Sequence, residues 1–513
     1  MTDITTTKAT RREWIGLFVL ALPTLLLSLD VSVLYLALPK LTADLGADST
    51  QQLWILDIYS FLLAGFLVTM GTLGDRIGRR KLLLIGAAVF GAASVLAAYA
   101  SSPELLIACR ALLGLAGATL MPSTLALIRN MFHDPVQLGQ AIGVWFGCFM
   151  VGMLIGPVVG GLLLEQFWWG SAFLLGVPVM LLLLILGPAL LPEYRDPAAG
   201  RLDPASVGLS LVAILPTIWG LKALARDGWS VLGLVAIMAG IAAGTGFVRR
   251  QRRLDYPLLD VDLFRAGRFT AALTVSLAAG VVMAGVSLQA ALYLQVVEEL
   301  SPLRAGLWLI PQTVAMIAGL NLAPHVARRF GTSSTVAGGL VVAAAGLLVL
   351  GLGSLETLIA GLVVSAFGLS LPMALTMNLM LSAAPPERAG SVASLSETSG
   401  EGGIALGVAL LGTLGTIVYR DRLDLPEGVP AGIAERARSG VSEAVVVADS
   451  VGGSLGGAIE HAAKAAFGTG LTVVAVAGAA AFLACGLLAA LALRERAAAE
   501  ADLVEQEKVA EAA

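Results

Sequence analysis

The sequence predicts an all-α integral membrane protein of fourteen transmembrane helices, arranged as two six-helix bundles with two further helices inserted between them. Three observations predict it. Of the 513 residues, 57% are hydrophobic and only 13% are charged, and the mean hydropathy is +0.87, too apolar for a soluble globule of this length. Apolar runs of about 20 residues, the length needed to cross a bilayer, recur with polar breaks along nearly the whole chain. A basic turn closes the second run (Gly74-Asp75-Arg76-Ile77-Gly78-Arg79-Arg80) and a similar one closes the tenth (Arg328-Arg329-Phe330-Gly331), which relates the halves as repeats.

The spans of the first bundle are read at residues 13–38, 51–74, 82–100, 103–128, 137–165 and 168–191. The inserted pair follows at 205–225 and 229–249, and the second bundle at 268–296, 303–328, 333–353, 355–383, 389–419 and 466–493. The first run, Trp14 to Leu38, follows Lys8, Arg11 and Arg12; it is longer than a secretory signal's apolar region and is read as a retained span. With the N-terminus placed in the cytoplasm, 22 of the 32 Lys and Arg fall on that side, and five of the nine outside lie in one long loop where charge carries little topological weight. The domain limits are a cytoplasmic segment 1–12, the first bundle 13–195, the inserted helices 196–254, the second bundle 255–496 with its outer loop 420–465, and a cytoplasmic tail 497–513.

Composition excludes several functions. Basic residues are scattered, so no nucleic-acid groove is expected, and no Gly-Lys-Ser/Thr loop for ATP phosphates occurs. The three histidines, His133, His325 and His461, have neither metal-ligand spacing nor a serine and acid to act with, so no enzyme, metal or cofactor is expected. Cys109, Cys148 and Cys485 all sit in apolar runs, as small core residues do.

Ionisable residues inside the spans carry the chemistry, because a charge at membrane depth costs a few kcal/mol and is usually paired, functional or both. Asp30 in span one and Arg110 in span four both lie roughly 10 to 12 Å below the outer surface at 1.5 Å per residue. They are candidates for a pair, either a static brace or a carboxylate that exchanges protons. Asp57 lies between Trp54 and Tyr59; together they suit a lipophilic cation, attracted by charge and by the ring faces. The alternative is an interfacial aromatic belt with an acid reaching toward water. Glu397 and Glu401, four residues apart on one face of span thirteen, are placed to take up protons together, or else form an inert polar face. In span five, Gly152, Gly156, Pro157, Gly160 and Gly161 form a small-residue stripe with a kink. In the basic turn, Asp75 opposes Arg76, Arg79 and Arg80 and could latch one face in one state.

These residues resemble the motifs of the major facilitator superfamily, specifically its fourteen-span drug:proton antiporter branch, with actinobacterial multidrug pumps as the nearest likeness. Gly71-Thr72-Leu73-Gly74-Asp75-Arg76-Ile77-Gly78-Arg79-Arg80 resembles the superfamily's loop motif. Leu29-Asp30 with Ala37-Leu38-Pro39 is similar to the branch's first-span motif, Arg110 with Gly114 and Gly117 to its fourth-span motif, and Gly152 with Gly156-Pro157-Val158-Val159-Gly160-Gly161 to the motif associated with export. The resemblance implies proton coupling at Asp30 and Arg110, cation recognition or coupling at Asp57, Glu397 and Glu401, a cytoplasmic gate at Gly74, Asp75, Arg76, Gly78, Arg79 and Arg80, and a hinge in the glycine-proline stripe. Trp54, Tyr59 and Tyr35 join the substrate-contacting set.

Three departures stand out: Tyr35 replaces an asparagine usual in the first-span motif, Leu113 a frequent glutamine in the fourth, and span ten lacks an acid that some divalent-cation pumps carry. The last favours monovalent cations. The implied function is proton-coupled efflux of lipophilic cations such as quaternary ammonium compounds, dyes and quinolones, by a monomer in the bacterial cytoplasmic membrane. A dedicated exporter of one antibiotic or metabolite is the alternative, ahead of a proton-linked importer or a membrane sensor. For the loop 420–465, helix-compatible stretches at Ala431–Ser450 and Leu455–Phe467 predict a short hairpin over the outer opening, with a disordered linker as the alternative.

Overall fold

A computed structural model of the chain describes residues 9–195, 203–227, 230–254, 261–265, 267–382 and 389–512. The long apolar runs become helices because a membrane-embedded backbone has to satisfy its own N–H and C=O groups. The first bundle comprises α1 (Arg11–Leu45), α2 (Ser49–Ile77), α3 (Arg79–Ala98), α4 (Pro103–Met131), α5 (Pro135–Gln166), a single turn α6 (Ser171–Leu174) and α7 (Gly176–Leu190). Then come α8 (Pro204–Asp227) and α9 (Val231–Gln251). The second bundle holds α10 (Gly267–Leu292), α11 (Pro302–Phe330), α12 (Thr332–Leu350), α13 (Leu355–Ser382), α14 (Ala389–Arg422) and α17 (Gly453–Ala512), with α15 (Ala431–Ser439) and α16 (Val441–Val451) between the last two. No strand occurs among the described residues.

Twelve helical stretches among the described residues are long and apolar enough to span a membrane. The two arms of α2, which meet at 53° near residue 68, make a thirteenth when taken as one span, and α8 carries a shorter apolar stretch, Pro204–Thr217. Fourteen spans are compatible with this. The shortest breaks between spans, at Ser101–Pro103 and Ser354, separate distinct helices: α3 ends at Ala98 and α12 at Leu350, each followed by a capped new helix.

Within the first bundle α1 packs on α5, α2 on α4 and α3 on α7; within the second α10 packs on α14, α11 on α13 and α12 on α17. Two seams join the bundles, α2 against α14 and α5 against α11. Since spans two and ten are matched by their basic turns, the two seams are equivalent under the repeat. Helix α8 leans on α2 and α14 together: Ile214 and Leu215 pack with Trp54, Phe61, Leu406 and Ala409.

The last span differs from expectation. It begins at Gly453 and continues without a break, so Leu455–Phe467 is the first part of α17 and not a separate hairpin arm. The reason is legible: Ile459, Ala463, Ala466 and Phe467 make a buried stripe at helical spacing, with no proline to end it. Residues 431–451 are helical and not a linker. Tyr419 donates its hydroxyl to Ala437 O at 2.8 Å, and Arg436 Nε to Glu443 at 2.8 Å, which fold α15 and α16 back over the helix ends. Their elbow, Gly440 to Ser442, lies over a cavity of about 50 Å³ lined by Leu38, Gln52, Leu288, Thr416 and Tyr419.

Candidate functional site

Arg110 organises the first bundle's interior. Its guanidinium, 2% exposed, donates to Asp30 Oδ2 at 2.9 Å and to the Ile55 carbonyl at 3.1 Å, and lies 4.4 Å from the centre of the Tyr59 ring. A buried guanidinium is tolerable only when charge and hydrogen bonds are both supplied, and two neighbouring helices, α1 and α2, supply them here. Tyr59 reaches α4 because Gly114 offers no side chain: a Cβ there would meet Tyr59 O at 2.3 Å. The ring of Tyr59 is therefore occupied by the protein's own cation.

The opposite face of α2 looks toward α14. Asp57 is fully buried, which removes the reading of an acid reaching for water. Ser60, one turn along on the same face, is buried and hydrogen-bonds Glu401 of α14, so the contact crosses from one bundle to the other. The carboxylates of Asp57 and Glu401 and the Arg110 guanidinium act electrostatically on the half-buried Tyr35, and Asp30, Glu401 and Arg110 act on Tyr59. Trp54 stands edge-on to Phe61, ring centres 6.2 Å apart, beside α8. The structure thus gathers Asp30, Tyr35, Asp57, Tyr59, Arg110 and Glu401 into one field, with Trp54 at its flank. Glu397 lies on α14, but its side chain is outside the described residues.

The stripe in α5 has two faces. Gly152 and Gly160 abut α1, where Cβ atoms would lie 2.0 Å from Ser28 Oγ and 2.9 Å from Val33 Cγ2. Pro157 and Gly161 face α11: a Cβ on Gly161 would lie 2.4 Å from Leu303 Cα, and one on Gly306 2.1 Å from Pro157 O. Gly156 is buried between them. On the α2–α14 seam, Gly412 meets Leu53 in the same manner.

In the basic turn the expected latch is divided. Arg79 pairs with Asp75, Nε to Oδ1 at 2.8 Å and Nη2 at 2.6 Å, its stem lying on Gly74. Arg80 turns to the end of α7, and Arg76 is exposed. Gly78 has φ +113°, a conformation that favours glycine. Sequence reading missed Ser60, Leu303, Gly306 and Glu193. Only Ser60 carried a signal, three residues from Asp57 on the same helical face.

Two helical bundles joined along equivalent seams, with buried ionisable groups where they meet, define a membrane transport protein and not an enzyme. The chain belongs to the major facilitator superfamily, whose family model matches residues 20–408. It is 42% identical over 494 residues to the multidrug efflux pump LfrA of Mycolicibacterium smegmatis, covering 95% of this chain and 98% of that one. It is 33% identical over 466 residues to the methyl viologen resistance protein SmvA of Salmonella typhimurium, covering 89% and 93%. Its fold is similar to a crystal structure of a bacterial homolog of the human lysosomal transporter Spinster in an inward-facing, unoccupied conformation, with a TM-score of 0.67, 17% identity, and 95% and 98% of the two chains covered.

Proposed function

We propose that this protein is a proton-coupled antiporter that exports lipophilic cations from the bacterial cytoplasm by alternating access, with its basic face in the cytoplasm. The observation that carries the reading is the pair of acids on opposite bundles, Asp57 fully buried in α2 and Glu401 in α14, with Ser60, one turn from Asp57 on α2, hydrogen-bonded to Glu401. Each acid attracts either a proton or a cation, and competition for one negative charge is sufficient to couple their movements. Tyr35 and Trp54 supply aromatic faces beside them. Asp30 takes the coupling proton: neutralising it breaks its charge pairing with Arg110, whose guanidinium then has only Tyr59 and the Ile55 carbonyl. The relatives named for multidrug efflux and methyl viologen resistance support a cationic substrate class. Methyl viologen is a quaternary dication, so dications belong in the substrate panel despite the missing acid of span ten.

The test is dye efflux in energised cells. Asp30→Asn and Glu401→Gln each abolish uncoupler-sensitive ethidium efflux at parental membrane levels. Undiminished efflux in both variants removes the assignment of these residues.

A further inference from the structure

The turn between α2 and α3 contains a contact that the gate motif does not include. Helix α3 begins after Gly78 with no side-chain cap of its own, leaving its first N–H groups to be satisfied from elsewhere. Glu193, beyond the end of α7, does this from outside the helix. Its Oε1 accepts the Arg80 N–H at 3.1 Å, and the Tyr194 carbonyl accepts the Arg79 N–H at 2.9 Å. In return the Arg80 guanidinium donates to the terminal carbonyls of α7, Leu191 O at 2.9 Å and Pro188 O at 3.2 Å, with its Nε 3.7 Å from Glu193 Oε2. Two helix ends of opposite partial charge each take a side chain of the opposite sign from the other. Gly78 makes room for it: a Cβ there would lie 2.4 Å from Glu193 Oε1.

Arg79 is held differently. Its side chain is ion-paired with Asp75 one turn back, and its Nη1 is buried with no hydrogen-bond partner among the described residues. Such a donor is costly to leave and favours exchange to a new partner.

We propose that Glu193 is the anchor of the cytoplasmic gate, a positioning residue that fixes the Gly78–Arg80 turn to the end of α7 so that Asp75 and Arg79 are the pair that switches. The proposal rests on reading this turn as a gate. Glu193 touches no substrate; it acts through Arg80 and the backbone of α3.

The experiment compares initial ethidium efflux rates in cells carrying Glu193→Ala, Glu193→Gln and Asp75→Asn, normalised to transporter in the membrane, over a range of internal dye. Glu193→Ala is expected to lower the maximal rate about tenfold with the apparent KM unchanged. Glu193→Gln, which keeps an acceptor for the Arg80 N–H, recovers a large part of that rate. A Glu193→Ala rate per molecule equal to the parent's overturns the proposal, as does a loss wholly explained by reduced membrane protein. If Asp75→Asn is slow while Glu193→Ala is not, the anchor fails and the gate stands. If both export normally, gate and anchor fail together.

Discussion

Gly161→Ala is the sharpest test of how the bundles close. The added Cβ would lie 2.4 Å from Leu303 Cα and 2.8 Å from Pro302 O, where ordinary contacts begin near 3.4 Å. The neighbours are backbone and cannot rotate away, so α5 and α11 have to separate by roughly 1 Å. Overpacking of this kind costs about 1–3 kcal/mol, borne only by the conformation in which this seam is shut. The ratio of shut to open forms then falls by about 5- to 150-fold. The assay labels a cysteine at Leu53, on the other seam against Gly412, with a membrane-impermeant maleimide after Cys109, Cys148 and Cys485 are replaced by serine. Labelling accelerates and ethidium efflux slows, whereas Gly143→Ala, on the same helix with nothing within 4 Å, changes neither. Parental labelling and efflux in Gly161→Ala would refute the idea that this contact closes the transporter.

Tyr59→Phe keeps the ring beneath Arg110 and retains most efflux, while Tyr59→Leu loses a contact of about 0.5–2 kcal/mol and lowers the purified protein's unfolding temperature. Gly114→Ala drives a Cβ to 2.3 Å from Tyr59 O and destabilises the protein by about 1–3 kcal/mol, measured as reduced Tm in detergent. The Arg250 guanidinium, followed by the Ser206 hydroxyl, holds the Asp203 carboxyl well below the usual carboxylate range. A depressed pKa contributes stability above the unfolded value, about 3.9, and loses it as pH falls through the folded value. The Tm difference between parent and Asp203→Ala therefore stays constant from pH 8 to about pH 5 and narrows only in stronger acid.

The order of the apolar helices was legible because lipid imposes a long apolar run on every span, and the candidate pair Asp30–Arg110 followed from matched depth. Direction within a helix was harder. Trp54, Asp57 and Tyr59 are close in sequence, yet 3.6 residues per turn sends Tyr59 toward α4 and Asp57 toward the seam. The start of α17 was missed because polar Glu460, His461 and Lys464 mask a buried stripe, and Lys464 is paired with Glu460 at 2.7 Å and also with Glu299. Glu193 was invisible because its meaning depends on two helix ends that meet only in the folded chain.

The placement of α8 has a consequence for any account in which two bundles rock. Ile214 and Leu215 touch side chains of both α2 and α14 beside the buried acids, and α9 rides on α8 through close contacts at Gly220 and Gly240. A third body thus straddles the joint between the bundles. When the joint opens, α8 has to slip along one wall while it stays with the other, as a weatherstrip does on a door. Its contact with the two helices is made by apolar side chains, which suits such a slip.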